Sequence, residues 1–510
     1  LKINYKAFKD YHFLTFIFLT VSMLGILKHE LWLDEAHHWL LAKDSISFKD
    51  LVHNTRYEGH PILWNLLLFG ISRVTDNVLW MQILHILIGT VAVFTFLKYA
   101  PFSRLIKVLF IFGYFMFFEY TLLSRNYMLG VVFLFLACSV FNHRKERFIK
   151  LAVLLACTAN THAIFLILAS SLMFVLILEY LQDNGLKFTK RFIIGLAIFT
   201  AGALLSVAQI LPPSDTVFFD RVNEIPIIDR ILRCSIVFFK ALVPLPDFST
   251  LSFWNSNLII NTSRIGAAIA GVISFLLPLF VLYKNKFSRL YFYTVLLGSL
   301  LFFYLTQIYV IRFHGMLYFA FFTALWIEHS LPKTNNRLTL SLPKFPYEKF
   351  KKTMIYGILT IHLFSGIVSF GMDYIHPFTN AQKVTQVLKE TELSHKVIAT
   401  KACDGTALSS YLKKPVFFLR MGKYQTSCNW GDISFNRPFE KKQVISALET
   451  LAISQNESFI YVSSDPVFMM KDSKNWSNLH EIKYRFLQKL EGSILKRGNY
   501  YIYEITRNDG

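Results

Sequence analysis

The chain has 510 residues, 54% of them hydrophobic and 16% aromatic, with a mean hydropathy of +0.42 and a formal charge of +20. Repeated long apolar runs exclude an ordinary string of soluble domains, because such a sequence has the bilayer as its main solvent. The positive charge does not indicate nucleic acid, since Lys and Arg fall mostly in short loops between apolar runs.

After Lys2, Lys6 and Lys9, the first apolar run covers 11–27 and is long enough to cross a hydrocarbon core of ~30 Å. A polar loop, 28–60, follows. Residues 61–71 are apolar for only about eleven residues before Arg73, Asp76 and Asn77, less than the ~17 a spanning helix needs, so a helix lying at the membrane surface is expected. Further spans are expected at 78–97, 105–123, 127–141, 149–159, 163–181, 192–211, 263–283, 290–309, 313–329 and 354–371. The fold class is therefore an α-helical polytopic membrane protein of about eleven spans. The short run 149–159 suggests a helix extended at its ends or broken beside a cavity. Residues 227–243 are interrupted by Asp229, Arg230, Arg233 and Lys240, which suits a surface or re-entrant helix.

The basic loops fix the orientation. Lys98, Arg104 and Lys107, then Arg144, Lys145, Arg147 and Lys150, then Lys187, Lys190 and Arg191, then Lys284, Lys286 and Arg289, then the stretch 333–352, all fall on the cytoplasmic side. Residues 124–126, 160–162, 212–261 and the turn around Arg312 and His314 fall outside, with the loop 28–60. Past residue 372 the composition turns polar, and β-type runs at 396–400, 415–419, 458–463 and 500–505 alternate with helical patterns at 382–391 and 441–451. The domains are thus 1–372 in the membrane and a small α/β domain, 373–510, on the periplasmic side. Cys138, Cys157 and Cys234 read as small buried hydrophobes, whereas Cys403 and Cys428 lie where a disulfide is permitted, and the sequence leaves that pairing open.

The unusual residues gather in the outer layer. Asp34 and Glu35, followed by His37, His38 and Trp39, form an amphipathic pattern in which a carboxylate can take a proton from a hydroxyl or hold a divalent cation. Asp34-Glu35-Ala36-His37 resembles a helicase box by chance, for the chain has no phosphate-binding glycine loop, and H-E-x-x-H is absent. Asp34, His37 and His38 can still share a helical face, which keeps a zinc site among the alternatives. Glu58-Gly59-His60-Pro61 precedes the surface helix. Arg125 and Arg312 stand at the outer ends of spans, where a charge is costly unless it meets water or an anion, and guanidinium groups suit phosphate oxygens. Asn160, His162 and His314 reach the same layer.

One span, then Leu33-Asp34-Glu35-Ala36 with Trp39, then Glu58-Gly59-His60-Pro61 with Leu63 and Trp64, then Ser124-Arg125-Asn126-Tyr127: this order resembles the bacterial members of the GT-C superfamily of membrane glycosyltransferases, of the protein mannosyltransferase and aminoarabinose transferase type. The resemblance is best over residues 1–180, and Arg312-Phe313-His314-Gly315 and Pro377-Phe378 extend it. Ile62 replaces a second proline, and Asn126 separates Arg125 from Tyr127 where a second basic residue is usual. The resemblance implies a bacterial inner-membrane enzyme of the cell envelope. It would move a sugar from a polyprenyl-phosphate donor to a lipid, glycan or protein acceptor on the periplasmic face. Asp34 would serve as base or metal-linked acid with Glu35 beside it. Glu58, His60, Arg125, Tyr127, His162, Arg312 and His314 would bind substrate, and a divalent metal, Mg or Mn, is a candidate cofactor. Two other classes are alternatives: a transporter or flippase for a lipid-linked or anionic substrate, which would use the same arginines, and a non-catalytic scaffold whose soluble domain binds a partner.

Overall fold

A computed structural model of the chain describes residues 5–214, 225–331, 346–431, 439–455, 457–470 and 476–508. Helix α1 (Tyr5–Ile26) leads into an outer layer of three short helices, α2 (Leu33–Asp44), α3 (Phe48–Asn54) and α4 (Leu63–Ser72). The bundle continues with α5 (Leu79–Tyr99), α6 (Arg104–Ile111) and its π-helical extension Tyr114–Leu122, α7 (Tyr127–Val140), α8 (Phe148–Ala159), α9 (Ala163–Asn184) and α10 (Lys190–Ile210). Five short helices follow: α11 (Ile227–Ser235), α12 (Val237–Leu242), α13 (Leu258–Thr262), α14 (Arg264–Ser274) and α15 (Leu277–Val281). The bundle ends with α16 (Lys286–Thr306), α17 (Ile311–Glu328) and α18 (Tyr347–Ile375).

Among the described residues, seven helical segments are long and apolar enough to cross a membrane: Leu79–Tyr99, Arg104–Leu122, Ala163–Asn184, Lys190–Ile210, Arg264–Val281, Lys286–Thr306 and Tyr347–Ile375. They coincide with seven of the eleven expected spans. The other four are helices too, but the apolar parts at Asp10–Ile26, Tyr127–His143 and Phe148–Ala159 are shorter. The fourth, α17, buries every residue except Arg312. A helix apolar on all sides belongs in the middle of a bundle, and α17 lies there, against α7, α9, α12 and α16. Helix α4 has ten residues, too few for a span, and packs on α2. Helix α11 exposes Ile227, Ile228, Ile231 and Leu232 and lays Arg230 and Arg233 over the rings of Tyr304 and Tyr309, the arrangement of a helix at an apolar–polar boundary. Residues 215–224 of the outer segment and 332–345 of the last basic stretch lie outside the described residues.

The π-helical segment shapes the site's floor. All nine of its residues are buried, and the chain passes from it through Leu123 to Ser124 and Arg125. Helix α18 crosses it closely because residue 366 is glycine: a Cβ there would lie 2.6 Å from the Phe112 carbonyl oxygen.

After α18 the chain forms an α/β domain on a seven-stranded sheet of order β3-β2-β1-β4-β7-β6-β5. Its strands are β1 (Ile398–Thr400), β2 (Val416–Phe418), β3 (Lys423–Gln425), β4 (Phe459–Ser463), β5 (Ser477–Leu479), β6 (Ile482–Leu490) and β7 (Tyr500–Arg507). The pairs β1–β2 and β1–β4 are parallel and the rest antiparallel. Alternation along the strands divides the core in two. Ile398, Ile460, Val462 and Ile502 meet α19 (Ala381–Glu390) and α20 (Gly405–Leu412), while Ala399, Phe459, Tyr461 and Tyr503 meet α21 (Lys441–Ser454). The four expected strands and two expected helices are present; β3, β5 and β6 are additional.

This domain is fastened to the outer layer. Ala36 of α2 is fully buried in the same cluster as α19 and α20. The Leu31 N–H donates to the Tyr411 hydroxyl at 2.9 Å, Thr379 Oγ1 donates to the Leu31 carbonyl at 3.0 Å, and the Gln382 N–H donates to Glu30 at 3.1 Å. Helix α2 is consequently held between the bundle and the α/β domain, with residues 35–42 all buried.

Candidate active site beneath the outer helix

Helix α2 starts at Leu33 because Glu35, at its third position, reaches back to accept from the Trp32 N–H at 3.2 Å. Asp34 and Glu35 in the first turn also suit the positive end of the helix. From that turn, Asp34 Oδ2 accepts from the guanidinium of Arg125 and from Arg312 Nη2, the latter at 3.2 Å. The Tyr127 hydroxyl accepts from both arginines, 3.3 Å from Arg125 Nη2 and 3.1 Å from Arg312 Nε. Both guanidinium groups lie against the Trp32 ring, their carbons 5.7 and 5.1 Å from its centre, and Trp254 packs edge-on to Trp32 at 4.9 Å.

Three distant segments therefore converge on one oxygen, and burial decides how strongly. Burial opposes ionisation of Asp34, yet Arg125 and Arg312 outweigh it and hold the carboxyl below its usual range. Burial likewise opposes the charge on Arg125, and Asp34 more than restores it. Two guanidinium charges against one carboxylate leave one positive charge in excess, against the rings of Trp32 and Trp254. A divalent ion on Asp34 does not fit this arrangement, since it would sit against two cations.

Glu35 is placed differently from Asp34. Its carboxylate is completely enclosed, with Oε1 accepting from the Ser124 N–H at 2.6 Å and Oε2 lying 3.1 Å from His29 Nε2. His29 Nδ1 in turn sits 2.8 Å from Asp373. Burial disfavours the His29 cation, but Asp373 and Glu35 prevail and raise it well above its ordinary value. Both Glu35 oxygens are thus occupied, by the N–H groups of Ser124 and Trp32 and by the His29 ring, whereas Asp34 faces the two arginines.

Glu58 and His60 stand one turn along α2, next to His38. Glu58 Oε1 is 2.7 Å from His37 Nε2, while its Oε2 faces His60 Nε2 at 3.8 Å and His38 Nδ1 at 4.0 Å. Burial pushes both His38 and His60 below the ordinary imidazole value. From the α/β domain, Trp430 packs edge-on to His37 at 5.5 Å, with its indole Nε1 3.2 Å from His37 Nε2. The neighbouring Gly431 lies so close to Tyr57 that a Cβ would come within 2.4 Å of the phenol ring. A disulfide between Cys403 and Cys428 ties down the loop that carries both residues.

His162 supports the site from below: its Nδ1 caps α9 by accepting from the Ile164 N–H at 3.2 Å, and its ring packs on Tyr127 at 5.4 Å and Phe313 at 4.7 Å. Asn160 bonds to the Gly202 carbonyl at 2.8 Å, and Gln209 donates to it at 3.3 Å, so its side chain joins α8 to α10. His314 does not join the Asp34 cluster. It is buried against Phe303, the ring centres 5.4 Å apart, and among the described residues neither nitrogen has a hydrogen-bond partner. Sequence reasoning missed Glu119, which accepts from the Trp254 indole at 3.0 Å and the Tyr114 hydroxyl at 3.1 Å and so steadies the aromatic wall. An acidic residue inside an apolar run was the available signal.

No protein-family model and no curated protein matches this chain.

Proposed function

We propose that the chain is a membrane glycosyltransferase of the GT-C type, which transfers a sugar from a polyprenyl-phosphate donor to an acceptor hydroxyl on the outer face of a bacterial inner membrane. The observation that carries this reading is the meeting of Asp34, Arg125 and Arg312 on a single carboxylate oxygen beside Trp32. An excess of one positive charge beside aromatic rings matches one phosphodiester, and paired guanidinium groups suit its oxygens.

In this reading the resting contacts are exchanged when donor binds. The phosphate takes over the arginines, and Asp34, released from both, regains the basicity that the ion pairs suppress. The acceptor oxygen then attacks the anomeric carbon, its proton passes to Asp34, and the bond from that carbon to the phosphate oxygen breaks with the electron pair leaving on phosphate. Arg125 and Arg312 stabilise the departing charge. Displacement at one carbon inverts its configuration. The test is transfer of radiolabelled sugar from polyprenyl-phosphate donors in membrane vesicles containing wild type or Asp34→Ala. Transfer that requires Asp34 supports the reading, and equal transfer by both proteins removes it.

A further inference from the structure

His38, Glu58 and His60 offer three ligand atoms that all lie within 4.8 Å of one another. Among the described residues, two of them are buried and without a hydrogen bond of good geometry: His38 Nδ1, on a residue 1% exposed whose ring neighbours the Asn65 amide, and His60 Nε2, on a residue 7% exposed. A buried ring nitrogen left unpaired is costly, and a ligand from outside the chain would satisfy it. The tautomer of His60 is fixed by its other nitrogen, because Nδ1 lies 3.2 Å from the Pro61 carbonyl, which can only accept. Nε2 therefore turns a lone pair toward Glu58. The remaining Glu58 oxygen is 2.7 Å from His37 Nε2, which orients the carboxylate as outer partners do in metal centres.

We propose that His38, Glu58 and His60 bind a divalent transition-metal ion of the zinc class. Two imidazoles and one carboxylate favour zinc over magnesium or calcium, and three protein ligands leave a coordination position open. Ligand atoms around a tetrahedral ion with bonds of about 2.0–2.1 Å stand about 3.3 Å apart. Glu58 Oε2 is 3.8 Å from one nitrogen and 4.0 Å from the other, and all three atoms lie within 4.8 Å, so side-chain shifts of about 0.5–1.5 Å close the set. Access is provided by a polar cavity of about 180 Å³ between the outer loop and the α/β domain, which reaches Glu58 past Asn54, Gln425 and Trp430. This site is separate from Asp34, whose own oxygen is shared by two arginines, and it stands whether or not the chain transfers sugars.

The test is elemental analysis of the full-length protein purified in detergent, loaded with zinc and dialysed, beside Glu58→Gln, His60→Asn and, as a control, Asp34→Asn. Wild type and Asp34→Asn should retain about one zinc per chain and the two ligand variants at least tenfold less. Retention by Glu58→Gln equal to wild type, or loss in Asp34→Asn alone, overturns the proposal, as does a wild type that retains none. Should the ligand variants fail to fold, X-ray absorption of zinc-loaded wild type decides: two imidazoles with oxygen and no sulfur supports the site, and any other ligand set overturns it.

Discussion

Glu35 Oε1 accepts the Ser124 N–H at 2.6 Å, which joins the first turn of α2 to the residue before Arg125. The site's ion pair therefore hangs on a carboxylate that does not take part in it. Glu35→Ala would leave the N–H groups of Ser124 and Trp32 buried without acceptors, at about 1–3 kcal/mol each. Its melting temperature in detergent should fall clearly, and Glu35→Gln, which keeps one acceptor oxygen, should fall less. If alanine melts like wild type, the positional role is wrong.

Replacing Asp34 should separate binding from chemistry. The carboxylate competes with phosphate for Arg125 and Arg312, so Asp34→Asn should bind a polyprenyl-phosphate sugar at least as tightly as wild type while transferring it about 10²–10⁴-fold more slowly. Arg125→Ala should lose donor binding. Donor affinity measured by displacement of a fluorescent lipid phosphate distinguishes the two. Weaker binding in Asp34→Asn would contradict the exchange of contacts proposed for the arginines.

What was legible in the sequence follows from how each feature is encoded. Spans such as Leu79–Tyr99 and Ala163–Asn184 announce themselves by length and apolarity, and strand β4 by its β-branched and aromatic run. Asp34, Arg125 and Arg312 could be grouped because charges at the outer ends of apolar runs have few places to go. Nothing local marks the partnership of His29 with Asp373, 344 positions away, or of His37 with Trp430, 393 positions away. Strand β6 escaped because its exposed and half-buried residues break the alternation that reveals a strand. The different surroundings of Asp34 and Glu35 were hidden for a related reason: adjacent carboxylates look alike in sequence, and only the fold turns one toward arginines and the other toward backbone N–H groups and His29.

Acidity should tighten the seat of the α/β domain. Glu30 accepts from the Gln382 N–H at the start of α19, and burial raises its carboxyl to about 7 from an ordinary value of 4.5. A carboxyl raised in the folded state keeps its proton longer there than in the unfolded chain. Its contribution is fully present below about 4.5 and is lost as pH climbs through about 7, on the order of 3 kcal/mol in all. His29, also raised, acts in the same direction, losing its contribution above its unfolded value of 6.5. Asp34, held low, changes only in more acidic solution. Wild type should thus melt higher at pH 5 than at pH 8, and Glu30→Gln should show a smaller difference between the two. Identical pH dependence in both proteins would exclude Glu30 as its source.

The disulfide tests which side of the membrane the α/β domain occupies. Cys403 and Cys428 are 25 positions apart and joined, whereas Cys138, Cys157 and Cys234 are free. Closing a loop of that length restricts the unfolded chain by about 3 kcal/mol. It also fixes the segment that sets Trp430 on His37 and Gly431 on Tyr57. Such a bond persists in an oxidising compartment and not in a reducing cytoplasm. Protein denatured directly from cells in a thiol-reactive polymer should therefore take up three labels, and five after reduction, out of five cysteines in all. Reduction of the folded protein should loosen the loop and change Trp430 fluorescence, with Trp430→Phe as the control that removes the signal. Five labels without reduction would place the α/β domain on the reducing side, reverse the orientation read from the basic loops, and move the Asp34 cluster to the cytoplasmic face with it.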